Sequence, residues 1–319
     1  MIMKRQQSIT EKAIKELRDA RECLDGVKTE LESRGSEPDL PISSLPEFNS
    51  KIWGLKKGLT ILGGRTSQGK SSMALQWAFD LADRGKEVLF LSLEMTVENM
   101  IERLFCNLLK IDNFELLTGK LKTNVEYQDK WGTFTKLMNI PLKLSCGLGK
   151  TLDDVNEITD LLEPKPKVII IDYIQGIRKS VNERADLDDY ILRFRELCLL
   201  NNIAGVLVSQ NSRKVFDEES KEPSLANLKG TGCLEEIADT VILLFYPYFY
   251  NKNLDKNMYK VILAKQRNGR TGEHLLNYHP EYYRFSELTL QQKEAMRQKK
   301  GMKDKATEIL SAKEITNED

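Results

Sequence analysis

Histidine is nearly absent from this 319-residue chain, with two copies, and no Cys-x-x-Cys spacing occurs. That removes the common zinc arrangements, which draw on clustered thiolates and imidazoles. The five cysteines, Cys23, Cys106, Cys146, Cys198 and Cys233, are scattered and odd in number. No disulfide framework is expected from them, and a reducing, cytoplasmic setting is. No apolar run approaches the ~20 residues that a membrane span needs. The opening MIMKRQQSITEK lacks the apolar core of a secretory signal, so no membrane partner is expected. An excess of one charge is missing too. Lys plus Arg and Asp plus Glu each total 48, so any binding of nucleic acid rests on local patches. The dinucleotide fingerprint G-x-G-x-x-G does not occur, which argues against a nicotinamide or flavin site.

What is present is an apolar fraction of 40%, enough for a full core, and a pattern of alternation. The runs LTILGG, VLFLSLE, KVIIID, GVLVSQ, TVILLFY and YKVILAK read as buried strands. Helical stretches at 71–84, 97–109, 152–162 and 188–200 lie between several of them. Continuous apolar strands separated by helices predict an α/β fold with a mostly parallel sheet covered on both faces. The segment YKVILAKQRNGRTGEHLLNYHP adds a C-terminal antiparallel hairpin around a glycine-containing turn. We expect three parts: an N-terminal helix and linker over residues 1–37, an α/β domain over 38–288, and a charged tail over 289–319, helical or loosely held. Within the first part Ile9, Ala13, Leu17, Ala20, Leu24, Val27 and Leu31 draw one stripe along a helix, before Gly35, Pro38 and Pro41 interrupt it.

Between the first strand and the first helix stands Gly64-Arg65-Thr66-Ser67-Gln68-Gly69-Lys70-Ser71, followed by Ser72. This matches G-x-x-x-x-G-K-[ST] in its required strand-to-helix context. Glycines let successive N–H groups face one point, and the following helix adds its unpaired N–H groups and positive dipole end. A triphosphate fits that concavity, with Lys70 on the outer phosphates and the Ser71 hydroxyl on Mg²⁺. ATP and Mg²⁺ are the expected ligands. A second Gly-Lys-Thr, at Gly149 to Thr151, lacks the leading glycine, since Leu144 stands five residues before Gly149. Thr151 is expected to cap a helix instead.

Three further strands end in polar groups. Asp172 closes KVIIID and is the best partner for Mg²⁺, Glu94 closes VLFLSLE and could act as general base, and Gln210 closes GVLVSQ, where an amide could sense the outer phosphate. In a parallel sheet these ends share one edge with the phosphate loop.

The ordered set GGRTSQGKSS, FLSLEM, VIIIDYIQGI, VLVSQNSR, LKGTGCLEEIADTVILL and VILAKQRNGRTGE resembles the RecA-like motor of the DnaB-like replicative DNA helicases of bacteria and phages, over about Pro41 to Phe285. The resemblance implies a ring of copies, a hexamer, that translocates on single-stranded DNA and unwinds duplex. It gives Lys70, Ser71, Asp172, Glu94 and Gln210 the roles above. It makes Lys265 and Arg267 basic fingers that reach the nucleotide of the adjacent subunit. It places strand-binding residues at Lys229, Gly230 and Gly232, within a long polar stretch that also carries Arg213. An acidic residue usual in the family is replaced by Gly230, and Lys229 stands where Arg is common, which leaves the strength of that contact in doubt. A second candidate loop carries Arg178 and Lys179. The collar that contacts primase in the family has no match in these residues, and the helix over 8–31 resembles the linker that latches onto a neighbouring subunit. Primase and a helicase loader are the implied protein partners. Two other readings stay open: a RecA-like filament or clock-type ATPase without unwinding, and a nucleotide-dependent assembly or loading factor.

Overall fold

The computed structural model describes residues 21, 23–33, 35, 37–120, 125–147, 151–177, 183–211, 221–228 and 232–298, and every structural statement below concerns these residues. The chain divides into two compact units, Met1–Pro38 and Asp39–Asp319. In the first, Cys23–Ser33 is α-helical.

The second unit is built on one nine-stranded sheet. Its strands are β1 (Gly58–Gly64), β2 (Val88–Ser92), β3 (Leu142–Cys146), β4 (Val168–Asp172), β5 (Ala204–Gln210), β6 (Thr240–Phe245), β7 (Met258–Gln266), β8 (Gly272–His279) and β9 (Arg284–Glu287), in the order β3-β2-β4-β5-β1-β6-β7-β8-β9. The first six positions pair in parallel and the last three are antiparallel. The expected α/β class, parallel sheet and C-terminal hairpin are all present, and β9 extends the hairpin by one strand.

Alternation of side chains splits the strands between two cores. Val168 and Ile170 of β4 pack with the helices Lys70–Asp83 and Val97–Leu109 on one face. Ile169 and Ile171 pack with the helices Leu152–Leu161 and Glu183–Leu200 on the other. Both faces are therefore dry, which is why these strands read as unbroken apolar runs. The P-loop helix is buried on nearly every side, and even its polar Gln76 and Asp80 are enclosed. Gln76 joins three elements: its Nε2 donates to the Phe285 carbonyl (2.9 Å) and to Ser44 Oγ (2.7 Å), and its Oε1 accepts from the Phe285 amide (2.9 Å) and from Asn107 Nδ2 (3.2 Å).

Several elements differ from expectation. β2 ends at Ser92, so Glu94 lies two residues beyond the strand, because the Ser92 hydroxyl accepts from the Met95 amide at 2.7 Å and turns the chain. The helix expected from 188 begins at Glu183. β3 carries no unbroken apolar run, and its alternating half-exposed LKLSC is an edge-strand pattern. Residues 290–298 are helical, while the rest of the expected tail lies outside the described residues.

Candidate nucleotide site

Parallel register brings the polar strand ends to one edge. Gly64 pairs with Gln210 and Ser92 with Asp172, on the neighbouring strands β2, β4, β5 and β1. Above them opens a cleft of about 530 Å³ lined by Thr66, Ser67, Lys70, Ser71, Glu94, Asp172 and Gln210, among others. The sequence-predicted phosphate loop, carboxylates and amide thus meet in one place.

The loop is shaped from behind. Gly69 has φ +79°, and a Cβ there would sit 2.9 Å from the Phe285 ring and 3.1 Å from Tyr278, so both conformation and space call for glycine. Ser67 also has positive φ, at 62°. The Tyr259 hydroxyl donates to the Gln68 carbonyl, and Gln68 Nε2 donates to the Tyr250 hydroxyl at 3.2 Å. The Arg65 guanidinium lies 5.1 Å from the Phe249 ring centre and 5.6 Å from that of Tyr250, within the range of a cation–π contact. Gln68 and Arg65 therefore face an aromatic wall rather than the cleft, a brace that the motif alone did not reveal.

Lys70 is buried, and its ammonium donates to the Arg65 carbonyl at 2.8 Å, folding the side chain back over the loop. Burial lowers its pKa to about 8, against the opposing pull of Asp172 and Glu94. Asp172 is 1% exposed, and neither carboxylate oxygen has a hydrogen-bond partner. Burial raises its pKa, while the nearby Ser71 hydroxyl and Lys70 ammonium oppose the shift without closing a bond of normal geometry. An unpartnered buried carboxylate beside a hydroxyl and a cradle of amides is unfavourable by itself and fits a divalent cation. Mg²⁺ in nucleotide sites takes one or two protein ligands, with waters and phosphate oxygens completing its shell. Ser71 and Asp172 match that demand. Glu94, in contrast, is exposed at the cleft mouth.

Gln210 is held indirectly. Its backbone N–H donates to Gln175 Oε1 at 3.2 Å, and Gln175 Nε2 donates to Ser209 Oγ at 3.1 Å. Gln175 lies in the VIIIDYIQGI run, but nothing in its spacing distinguished it from a surface residue. Arg103, Asn99, Tyr278 and Tyr283 also line the cleft. Arg103 stacks over Tyr283 with its guanidinium 5.0 Å from the ring centre. The meeting of Arg103 with a tyrosine 180 residues away in sequence is a product of the fold.

Lys265 and Arg267 are not at this cleft. β7 runs antiparallel to β6, so its C-terminal end reaches the sheet edge opposite the phosphate loop. The seven residues of β1 separate the two edges, about 20 Å at the rise of a strand. Nor are these residues free on a solvated turn. Lys265 Nζ donates to the Glu235 and Glu236 carbonyls (2.5 and 2.9 Å), and Arg267 Nη2 donates to the Glu236 carbonyl at 3.0 Å. The DNA-contact candidates Arg178, Lys179, Arg213, Lys229 and Gly230 lie outside the described residues, and Gly232 opens the short helix Gly232–Ile237. Thr151 caps Leu152–Leu161 through a reciprocal box with Asp154, as expected.

Comparison with known proteins agrees with this geometry. The family model of the DnaB-like helicase C-terminal domain matches residues 42–287. The replicative DNA helicase DnaB of Geobacillus stearothermophilus is 30% identical over 249 residues, covering 73% of this chain and 53% of the relative. The replicative DNA helicase DnaC of Bacillus subtilis (strain 168) is 28% identical over 245 residues, with the same two coverages. The chain therefore spans about half the length of these curated relatives. Among solved structures, an ATPase domain superposes with a TM-score of 0.79 at 25% identity, covering 86% of this chain and all of that one. A DnaB-like replicative helicase, studied with its interactions with primase, gives 0.78 at 25% identity, covering 89% of this chain and 71% of that one. With a strand-braced phosphate loop, an unpartnered aspartate at the end of β4 on the same sheet edge and a family match spanning the whole sheet, the chain belongs to the DnaB-like helicase C-terminal domain family.

Proposed function

We propose that this chain is the motor of a ring-shaped, ATP-driven DNA helicase that moves on single-stranded DNA and unwinds duplex during replication. One observation carries the reading: the phosphate-binding groups and the basic pair Lys265 and Arg267 occupy opposite edges of one sheet. A guanidinium about 20 Å from its own phosphate loop can act on a nucleotide only in another copy. Such a site is completed between subunits, and a closed head-to-tail ring completes every site. A hexamer is the ring we propose.

In the cleft, the loop amides and Lys70 bind the triphosphate, and the ammonium leaves its contact with the Arg65 carbonyl to do so. Ser71 and Asp172 are the residues that would hold Mg²⁺, which when bound supplies charge neutralisation on the phosphate oxygens. Glu94 accepts the proton of the attacking water, and Gln210 reports the outer phosphate to the polar stretch that follows β5. Arg267 of the neighbouring copy meets the charge that develops as the phosphoryl group leaves. Arg213, Lys229, Gly230 and Gly232, with Arg178 and Lys179, are proposed to face the strand in the channel.

The helix Cys23–Ser33 carries Leu24, Val27 and Leu31 at spacings of three and four, which supports docking of one apolar stripe on a neighbouring copy. Primase and a loader remain proposed partners. No described helix is long and apolar enough to cross a membrane.

The test pairs ATP turnover with unwinding of a forked duplex by the purified chain. Lys70→Ala should reduce both to background. Turnover without strand separation under any fork geometry would favour the filament or clock-type ATPase instead, and nucleotide binding without turnover would favour the loading factor.

A further inference from the structure

We propose that Asp239 is the positioning residue for the finger Arg267, fixing the face that the guanidinium turns toward the neighbouring copy's nucleotide. The inference rests on the reading that Arg267 acts in trans.

Asp239 sits at the junction of four groups. Its carboxylate accepts a two-point fork from Arg195, at 2.9 Å from Nη2 and 3.2 Å from Nε, and a third bond from the Leu59 amide at 2.9 Å. Arg267 Nη1 lies 3.3 Å from Asp239 Oδ1, and the Arg267 amide donates to the Asp239 carbonyl at 2.9 Å. Partial burial works against ionisation, but Arg195, the Leu59 amide and Arg267 outweigh it and hold the carboxyl below its usual range. The carboxylate is anchored first to β1 and to the helix Glu183–Leu200, and the finger is a further partner.

The surroundings are built to keep it there. A Cβ on Gly58 would stand 2.4 Å from Asp239 Oδ2, and Gly58 has φ +100°. The first residue of β1 is thus a glycine that both bends the chain and leaves room for the carboxylate. Opposite Val241 and Ile242 of β6 the register slips, leaving Ala264 of β7 unpaired immediately before Lys265. Bulges of this kind re-aim the side chains that follow. The result is a guanidinium gripped along one side by Asp239 and the Glu236 carbonyl and still 43% exposed. The bond to the Glu236 carbonyl and the ion pair with Asp239 engage one side of the guanidinium, and of arginine's five N–H donors others are left for a ligand.

A fixed fork differs from a tethered charge. Orientation of catalytic groups contributes through geometry at the transition state, so loosening the grip should lower kcat and leave nucleotide affinity nearly intact. Asp239→Asn keeps the shape, loses the charge and is expected to reduce kcat by 10-fold or more with KM for ATP within about twofold. Arg195→Lys, which keeps a cation but loses the fork, should give a smaller fall in kcat of the same kind.

Subunit mixing separates positioning from general damage. A Lys70→Ala chain has a dead cleft and an intact finger, whereas Asp239→Asn has an intact cleft and a misplaced finger. Combined, the inactive Lys70→Ala and the impaired Asp239→Asn proteins form interfaces in which an intact cleft meets an intact finger, and turnover should rise above that of either alone. Arg267→Ala mixed with Lys70→Ala serves as the reference. Recovery in both mixtures supports the assignment. Recovery with Arg267→Ala but not with Asp239→Asn, the latter still binding a fluorescent ATP analogue with normal affinity, overturns it. If Asp239→Asn does not bind the analogue, Arg195→Lys decides in the same mixture, and absence of recovery there overturns it equally. Failure of the Arg267→Ala reference mixture overturns the trans reading itself and the assignment with it. An Asp239→Asn protein with undiminished kcat also ends the proposal.

Discussion

At the scale of single residues, the site is defined by groups held in unfavourable states. Lys70 is a buried cation with a pKa near 8 and Asp172 is a buried carboxylate without a partner. Both are stabilised by what the cleft is proposed to bind. The linkage for Lys70 has a definite sign. Triphosphate favours the ammonium and raises its pKa, so binding above pH 8 takes up a proton, and affinity should fall as pH rises from about 8 to 10. Titration calorimetry in two buffers of different ionisation enthalpy reads the proton directly, and equal heats in both at pH 8.5 would refute it. Asp80 shows the same logic away from the chemistry. Burial raises its pKa to about 6, although Ser44 donates to it from both its amide (3.1 Å) and its hydroxyl (2.6 Å). With the folded pKa above the ordinary 3.8, stability is highest when the group is protonated and declines as pH rises from about 4 to 6. Asp80→Asn keeps an acceptor for Ser44 and removes the buried charge. It should raise stability by about 3 kcal/mol at pH 7.5 and by almost nothing at pH 4, as measured by urea unfolding.

At the scale of elements, much of the arrangement could be read from the chain and the rest could not, for identifiable reasons. β1, β2, β4, β5 and β6 announced themselves because both faces of each are dry. Their polar ends could be assigned to one edge because parallel strands share a direction. β3 escaped because an edge strand half open to solvent has no apolar run. The phosphate loop was legible in eight residues, since its glycines and lysine answer local demands. Its aromatic brace was not, because Tyr259, Tyr250 and Phe249 reach it from about 180 residues away. Nor was Asp239, whose partners Leu59, Arg195 and Arg267 are spread over the whole chain. Gln76 belongs to this class of long-range joints. It satisfies both the N–H and the carbonyl of Phe285 on β9 and ties them to Asn107 on the helix Val97–Leu109. Gln76→Ala leaves these buried groups unpartnered and should cost about 3 kcal/mol. Because β9 supplies Phe285 behind Gly69, nucleotide affinity should weaken along with the denaturation midpoint. A lowered midpoint with unchanged affinity would separate the brace from the loop.

At the scale of the whole molecule, the neutral charge of the chain constrains how it can hold DNA. With 48 residues of each sign, bulk charge supplies no attraction to a phosphate backbone, so attachment must come from local patches, and a small patch gains strength when it is used many times. A ring supplies that multiplication. In the proposed ring, one lysine at position 229, repeated around the channel, would neutralise one phosphate for every copy that touches the strand. Each such phosphate releases counterions worth about 0.7 in the slope of log K against log salt for a single strand. Lys229→Ala should therefore flatten the slope by roughly 0.7 for each contacting subunit, up to about 4 if all six of a hexamer engage. The loss should be alike for every sequence tested, since phosphates carry no base information. Fluorescence anisotropy with oligonucleotides of two unrelated sequences, in the presence of a non-hydrolysable ATP analogue and from 50 to 300 mM salt, measures both quantities. The slope change also counts subunits. A change near 0.7 means that one copy at a time holds the strand through this loop, as a monomer or a loosely tethered filament end would. A change several times larger means that several copies hold one strand together, as the proposed ring would. No change in slope would move the contact elsewhere, with the loop carrying Arg178 and Lys179 the next to test by the same measurement.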